Sequence, residues 1–140
     1  MPYFLCKSEP DDYSYADLES DGSTVWDGVG NNLALKHMRT VKKGDTALIY
    51  HTGKDKHIAG IAKITTAAYE DPNDEKRVVF DVAKKQKLKR PVTLAEIKED
   101  AAKGKSVFAD YDLVKNPRLS VIPTTKAQFD RIMELSKQAR

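Results

Sequence analysis

The stretch Trp26-Asp27-Gly28-Val29-Gly30-Asn31-Asn32 carries the residue types best suited to holding a flat ligand with a polar edge. Trp26, the only tryptophan, supplies an aromatic face, and Gly28 and Gly30 permit backbone conformations that a side chain forbids. Asn31 or Asn32 can cap the helix encoded next, and an anion at the loop would meet the positive end of that helix's dipole. The same residues also suit a plainer arrangement, in which Trp26 packs in the core and the glycines only turn the chain.

Signatures of catalysis are sparse. No Gly-rich phosphate loop ending in Lys-Ser/Thr, no dinucleotide fingerprint and no paired-cysteine metal motif occurs. His51 and His57 flank a predicted hairpin turn and can face each other, yet a metal site needs a further ligand, and Cys6 is the only thiol. Ser8, Glu9 and His51 can in principle meet as nucleophile and base, but no nucleophile elbow marks them. No catalytic residue, cofactor or metal is assigned on this basis. Cys6 cannot form an intrachain disulfide, and its apolar neighbours predict a buried small residue.

The 140 residues suit a single domain spanning 1–140, large enough for one core. Apolar runs of only a few residues predict neither a membrane span nor a signal-peptide core, so the expected location is the cytoplasm. The net charge of +3 is mild, but its distribution is uneven. Glu9, Asp11, Asp12, Asp17, Glu19 and Asp21 form an acidic block, whereas Lys36, Arg39, Lys42 and Lys43 follow the glycine loop. A second basic run holds Lys84, Lys85, Lys87, Lys89 and Arg90. Such blocks read either as solvated faces or as surfaces that track phosphates.

Around the loop, Tyr3-Phe4-Leu5-Cys6 predicts an opening strand, broken by Pro10 and the paired aspartates. Ser14 with Asp17 predicts a short capped helix ending near Gly22, and Ser23 to Val29 leads extended chain into the loop. Apolar residues at three- and four-residue spacing from Leu33 to Val41 predict a helix of about ten residues. Thr46–His51 and His57–Ala67 predict a hairpin, with Gly60 marking a bulge or a close approach to the backbone. Glu70–Lys76 reads as an acidic loop and Arg77–Lys87 as a strand. Thr93 with Glu96 opens a further helix, Arg118–Ile122 predicts a strand stopped by Pro123, and Thr125 with Gln128 caps a last helix. This order predicts an α+β protein, with a curved antiparallel sheet or partly open barrel flanked by helices.

Taken together, Lys7-Ser8-Glu9-Pro10, Trp26-Asp27-Gly28-Val29 with Asn31, Gly44-Asp45 leading to Tyr50-His51, Gly60-Ile61-Ala62, Arg90-Pro91-Val92 and Arg118-Leu119-Ser120-Val121 with Pro123 resemble the EVE domain family. The resemblance spans nearly the whole chain. It implies a PUA-like pseudo-barrel of mostly antiparallel strands with peripheral helices and a pocket at the barrel mouth. It also implies nucleic-acid binding, with a modified base in DNA or RNA turned out of the helix into an aromatic pocket. The family's pocket residues fall on Lys7, Ser8, Trp26, Asn31, Tyr50, His51, Ser120 and Val121. Where many relatives have Arg, Tyr and Gln around the asparagine, this chain has Gly30, Asn32 and Leu33, and Leu35 replaces a further arginine.

On that reading Trp26 stacks on the base, and Asn31 with backbone groups of Ser8 and Ser120 reads its edge. His51 donates or accepts according to its protonation. Lys36, Arg39, Lys84, Lys85 and Lys87 supply phosphate attraction that weakens with salt. The expected partner is DNA or RNA containing modified bases, with no membrane and no metal. The resemblance leaves a second function open, a small PUA-like amidohydrolase acting on modified nucleosides, which needs a general base near Ser8 or Lys7.

Overall fold

Three capping boxes set where helices begin. Ser14 and Asp17 open α1 (Tyr15–Asp21), Thr93 and Glu96 open α3 (Leu94–Ala101), and Thr125 and Gln128 open α5 (Lys126–Lys137). The computed structural model describes residues 2–138. Its remaining elements are β1 (Tyr3–Ser8), β2 (Ser23–Trp26), α2 (Asn32–Met38), β3 (Thr46–His51), β4 (His57–Ile64), β5 (Tyr69–Asp71), β6 (Asp74–Thr93), α4 (Asp112–Lys115) and β7 (Val121–Thr124).

The strands form one mixed sheet in the order β2-β6-β4-β3-β1-β7, with β5 paired to β6 off that path. The β1–β3 pair is parallel and the other pairs are antiparallel. Strand β6, 20 residues long, pairs along its length with β5, β2 and β4. Its pairing with β4 shifts register between Ile58 and Gly60 and again between Ile61 and Ala62. Bulges of this kind bend and twist a sheet, and here the two ends of the path come to face each other. Residues of β2 and of the β1–β7 edge line a common cavity. The core fills the curl, with Leu5, Leu48, Ile58, Phe80, Val92 and Ile122 fully buried.

Gly60 owes its identity to Tyr15. A Cβ at Gly60 would stand 2.5 Å from the Tyr15 ring, so only glycine lets the ring lie against this strand. The Tyr15 hydroxyl donates to the Ile61 carbonyl at 2.7 Å, which anchors α1 over β4.

Several sequence expectations are corrected. The stretch Glu70–Lys76 is no free loop: β5 and β6 meet there in a hairpin, tightened by Asn73 N–H donating to Asp71 and Lys76 N–H to Asp74, each at 2.9 Å. Asx turns allow a polar segment without alternating hydrophobicity to fold this way. Helix α2 has seven residues rather than ten, with Asn31 as its N-cap. Pro123 does not stop a strand but lies within β7, opposite Phe4. β7 ends the sheet path, where a missing N–H is tolerated. Helix α4 carries no periodic pattern long enough to announce it. Arg90, counted with the basic run, is committed to structure. Its guanidinium forks onto Glu96 at 2.7 and 2.8 Å and also donates to the carbonyl of Leu135. This pairing holds the buried Glu96 carboxyl down at about 2.

Candidate nucleic-acid interface

The cavity between the sheet ends has a volume of about 570 Å³, within the roughly 300–1,000 Å³ usual for small-molecule sites. One wall is the chain from Thr24 to Gly30; the other comprises Lys7, Ser8, Ser120 and the turn carrying Asp12 and Tyr13. β2 brings Trp26 in, paired with Phe80 on β6. The loop then turns at Gly28, whose φ of 75° is a conformation that favours glycine. Trp26 is only 7% exposed and is one of the lining residues, so it is at once a core residue and part of the cavity wall. Val25 beside it is 44% exposed and adds apolar surface.

The opposite wall is held by hydrogen bonds. Lys7 N–H donates to the Ser120 carbonyl at 2.9 Å, which locks the β1 end to the residue before β7. The Lys7 ammonium donates to the Pro117 carbonyl at 2.7 Å and lies 5.7 Å from the centre of the Tyr50 ring. Partial burial lowers its pKa from the ordinary value. The Ser8 hydroxyl donates to the Tyr13 carbonyl at 2.6 Å, fixing the turn that carries Asp12 and Tyr13. One basic residue, two acidic ones (Asp12 and Asp27) and several hydroxyl-bearing residues thus line one space.

Of the eight residues expected in the pocket, the structure gathers Lys7, Ser8, Trp26 and Ser120 around the cavity. Tyr50 lies beneath the Lys7 ammonium, buried, with its hydroxyl pushed up to about 12 by desolvation. Asn31, His51 and Val121 are outside the lining. Asn31 accepts from Ala34 N–H at 2.9 Å, so its carbonyl serves as the cap of α2. Val121 is fully buried beside Ser120. His51 accepts from the Tyr15 N–H through Nε2 at 2.9 Å, meeting the first unsatisfied donor of α1. A neutral ring in this role carries its proton on Nδ1. Ser8 and His51 are therefore each bonded to backbone and do not form a nucleophile–base pair.

His51 makes stability depend on pH. Burial lowers its pKa from the ordinary 6.5, the neighbouring His57 lowers it further, and Glu9 opposes. Because the folded state disfavours the charged ring, this contribution is fully present above pH 6.5 and is lost as pH falls from there through the folded pKa. Urea midpoints measured across a pH series are expected to drop in that window. His51→Gln, which retains an acceptor for Tyr15 N–H, should flatten the drop; an unchanged slope would assign it to another group.

Sequence reasoning missed Asp12, Tyr13 and Thr24 as cavity residues, and no local pattern around them could have found them. The basic residues expected to meet phosphate, Lys36, Arg39, Lys84, Lys85 and Lys87, are all exposed and none lines the cavity. Lys84 donates to the Glu19 carbonyl at 3.2 Å, and Arg39 reaches the Lys76 carbonyl at 3.4 Å. Among the described residues no cluster of three or more His, Cys, Asp or Glu side chains is placed to hold a metal ion, and no helix is long and apolar enough to cross a membrane.

A curled mixed sheet with a cavity between its ends and helices around it is an α+β PUA-like fold. The structure of human thymocyte nuclear protein 1 in complex with DNA containing 5-methylcytosine superposes with a TM-score of 0.93, covering 100% of both chains at 28% identity. The EVE domain model matches residues 2–135, and the chain belongs to the EVE domain family. Thymocyte nuclear protein 1 of Danio rerio is 32% identical over 96% of this chain and 72% of its own length. A solved protein from Rhodopseudomonas palustris is 38% identical, with a TM-score of 0.87 over 97% of this chain and 93% of that one.

Proposed function

We propose that this chain binds nucleic acid carrying a modified base, with DNA containing 5-methylcytosine as the leading ligand, and that the base turns out of the helix into the cavity beside Trp26. The reading rests on one observation above all. A cavity of about 570 Å³ is lined by Trp26 together with Lys7, Asp12 and Asp27. Cytosine presents an exocyclic amine that a carboxylate can accept from, together with ring acceptors that an ammonium or hydroxyl can meet. The 5-methyl group finds apolar surface at Val25 and Trp26. The complex of human thymocyte nuclear protein 1 with DNA containing 5-methylcytosine, on the same fold, supports this choice of ligand.

Turning a base out of the stack costs a few kcal/mol, which cavity contacts must offset before they discriminate. A single methyl group against an apolar wall is worth roughly 1–3 kcal/mol, so selectivity over plain cytosine is expected to be modest. Trp26 reports on its own site. Titration with short DNA duplexes containing 5-methylcytosine is expected to change Trp26 emission saturably, and plain duplexes to do so more weakly. RNA of the same sequence separates the two nucleic acids. No change in emission and no binding with any oligonucleotide would overturn the proposal.

A further inference from the structure

We propose that Arg77 is a phosphate-binding residue at the cavity mouth, positioning the strand whose base enters; the proposal rests on the base-binding reading above. Arg77 is remote in sequence from every cavity residue, yet β6 carries it to the glycine loop. Its Nη2 lies 3.0 Å from the position a Cβ would take on Gly30, and Gly30 belongs to the cavity wall. A Cβ at Gly30 would press on the guanidinium by a few tenths of an ångström, so the bare glycine eases this close approach.

The orientation of the group is also set. Arg77 Nε pairs with Asp74 at 3.3 Å, both side chains 42% exposed. Among the described residues no other partner takes the guanidinium, and its Nη1–Nη2 fork has Nη2 toward Gly30 and Nη1 farther from the loop. A planar fork of this kind matches two oxygens of one phosphate. Arg39 at the end of α2 donates to the carbonyl of Lys76, next in the chain to Arg77. This corner of α2 and the β5–β6 hairpin sets Arg39, Lys76 and Arg77 among Glu70, Asp71, Asp74 and Glu75, so the planar fork, not a net positive field, is what suits a phosphate. A nucleotide with its base in the cavity must leave its phosphates outside the lining, and Arg77 stands outside it, against the wall residue Gly30.

The test compares Arg77→Gln, Arg77→Lys and Asp74→Asn in the full chain. Fluorescence anisotropy with a 5-methylcytosine duplex over a salt series gives affinity and salt slope, and quenching of Trp26 by 5-methyl-2′-deoxycytidine reads the cavity without phosphate. Arg77→Gln is expected to weaken duplex binding about tenfold, equally for methylated and plain DNA, and to reduce the slope of log K against log salt by about 1. Arg77→Lys should keep the slope while losing part of the affinity, because the fork is gone but the charge remains. Nucleoside quenching should be unchanged in all three. Asp74→Asn should leave binding intact or tighten it; if Arg77 served only its ion pair, Asp74→Asn and Arg77→Gln would act alike, and the proposal would fall. It would fall equally if Arg77→Gln kept the wild-type affinity and slope. Failure of the wild-type protein to bind duplex or nucleoside would instead remove the base-binding reading, and this proposal with it.

Discussion

Trp26→Ala is expected to lose about 3–5 kcal/mol of folding stability, the range for truncating a buried aromatic, and to lose base selectivity with it. Both losses come from one geometry. Trp26 is 7% exposed, stands opposite Phe80 in the β2–β6 register and belongs to the cavity lining, so most of its surface faces the core. Packing and ligand binding were alternatives for this residue in the sequence; the structure shows the packing and also sets the residue in a cavity lining, where the proposed ligand would meet it. The alanine variant therefore cannot separate the two roles, and Trp26→Phe is needed beside it. Phenylalanine keeps much of the apolar volume but a smaller π-face, so its stability loss should be a fraction of the alanine value. Base–aromatic stacking is worth about 1–3 kcal/mol, and the part of it that the smaller ring forfeits should appear as weaker binding of a 5-methylcytosine duplex by anisotropy. Urea denaturation of both variants decides the structural half. A loss below about 1 kcal/mol for Trp26→Ala would remove the indole from the core, against its burial.

How much of this was legible in the sequence depended on whether the cause was local. Ser14 with Asp17, Thr93 with Glu96 and Thr125 with Gln128 each satisfy a helix start from three residues away, and all three are capping boxes in the structure. The α+β character followed from those helices and the alternating strands. The cavity is another matter, because it exists only once the sheet has curled. Trp26 stood out by residue type beside its glycines and Lys7, Ser8 and Ser120 came through the family resemblance, whereas Asp12, Tyr13 and Thr24 had nothing in their neighbours to mark them.

Asn31 and His51 show a different limit. Both belong to motifs of the family, and both spend an acceptor on the first turn of a helix, Asn31 on α2 and His51 on α1. Short helices gain little from propensity and depend on such partners for their unsatisfied N–H groups. Each of these polar residues thus holds backbone near the cavity by bonding the first turn of a helix. His51 does so through Tyr15, two residues beyond Tyr13 in the cavity wall.

The same chain of contacts makes Gly60→Ala the second large effect expected. Gly60 was readable as a place where something approaches the strand; that the approaching group is Tyr15, 45 positions earlier, was not. A methyl group there would stand 2.5 Å from the Tyr15 ring, too close to persist, and the neighbouring backbone of β4 is fixed by pairing on both sides. The ring must move instead, and its bond to the Ile61 carbonyl is lost. Overpacking of about 1–3 kcal/mol and a buried hydrogen bond of about 1 kcal/mol together predict a loss of roughly 3 kcal/mol. Double-mutant analysis by urea denaturation tests the cause. In a Tyr15→Ala background the clash has no partner, so adding Gly60→Ala should cost less than about 1 kcal/mol, leaving a coupling of about 2 kcal/mol between the two positions. A cost that persisted without the Tyr15 ring would place the strain in the strand itself. Because Tyr15 also donates its N–H to His51, displacement of the ring should shift α1 and the adjoining turn of Asp12 and Tyr13. Gly60→Ala is accordingly expected to weaken ligand binding as well as folding, although it lies outside the cavity.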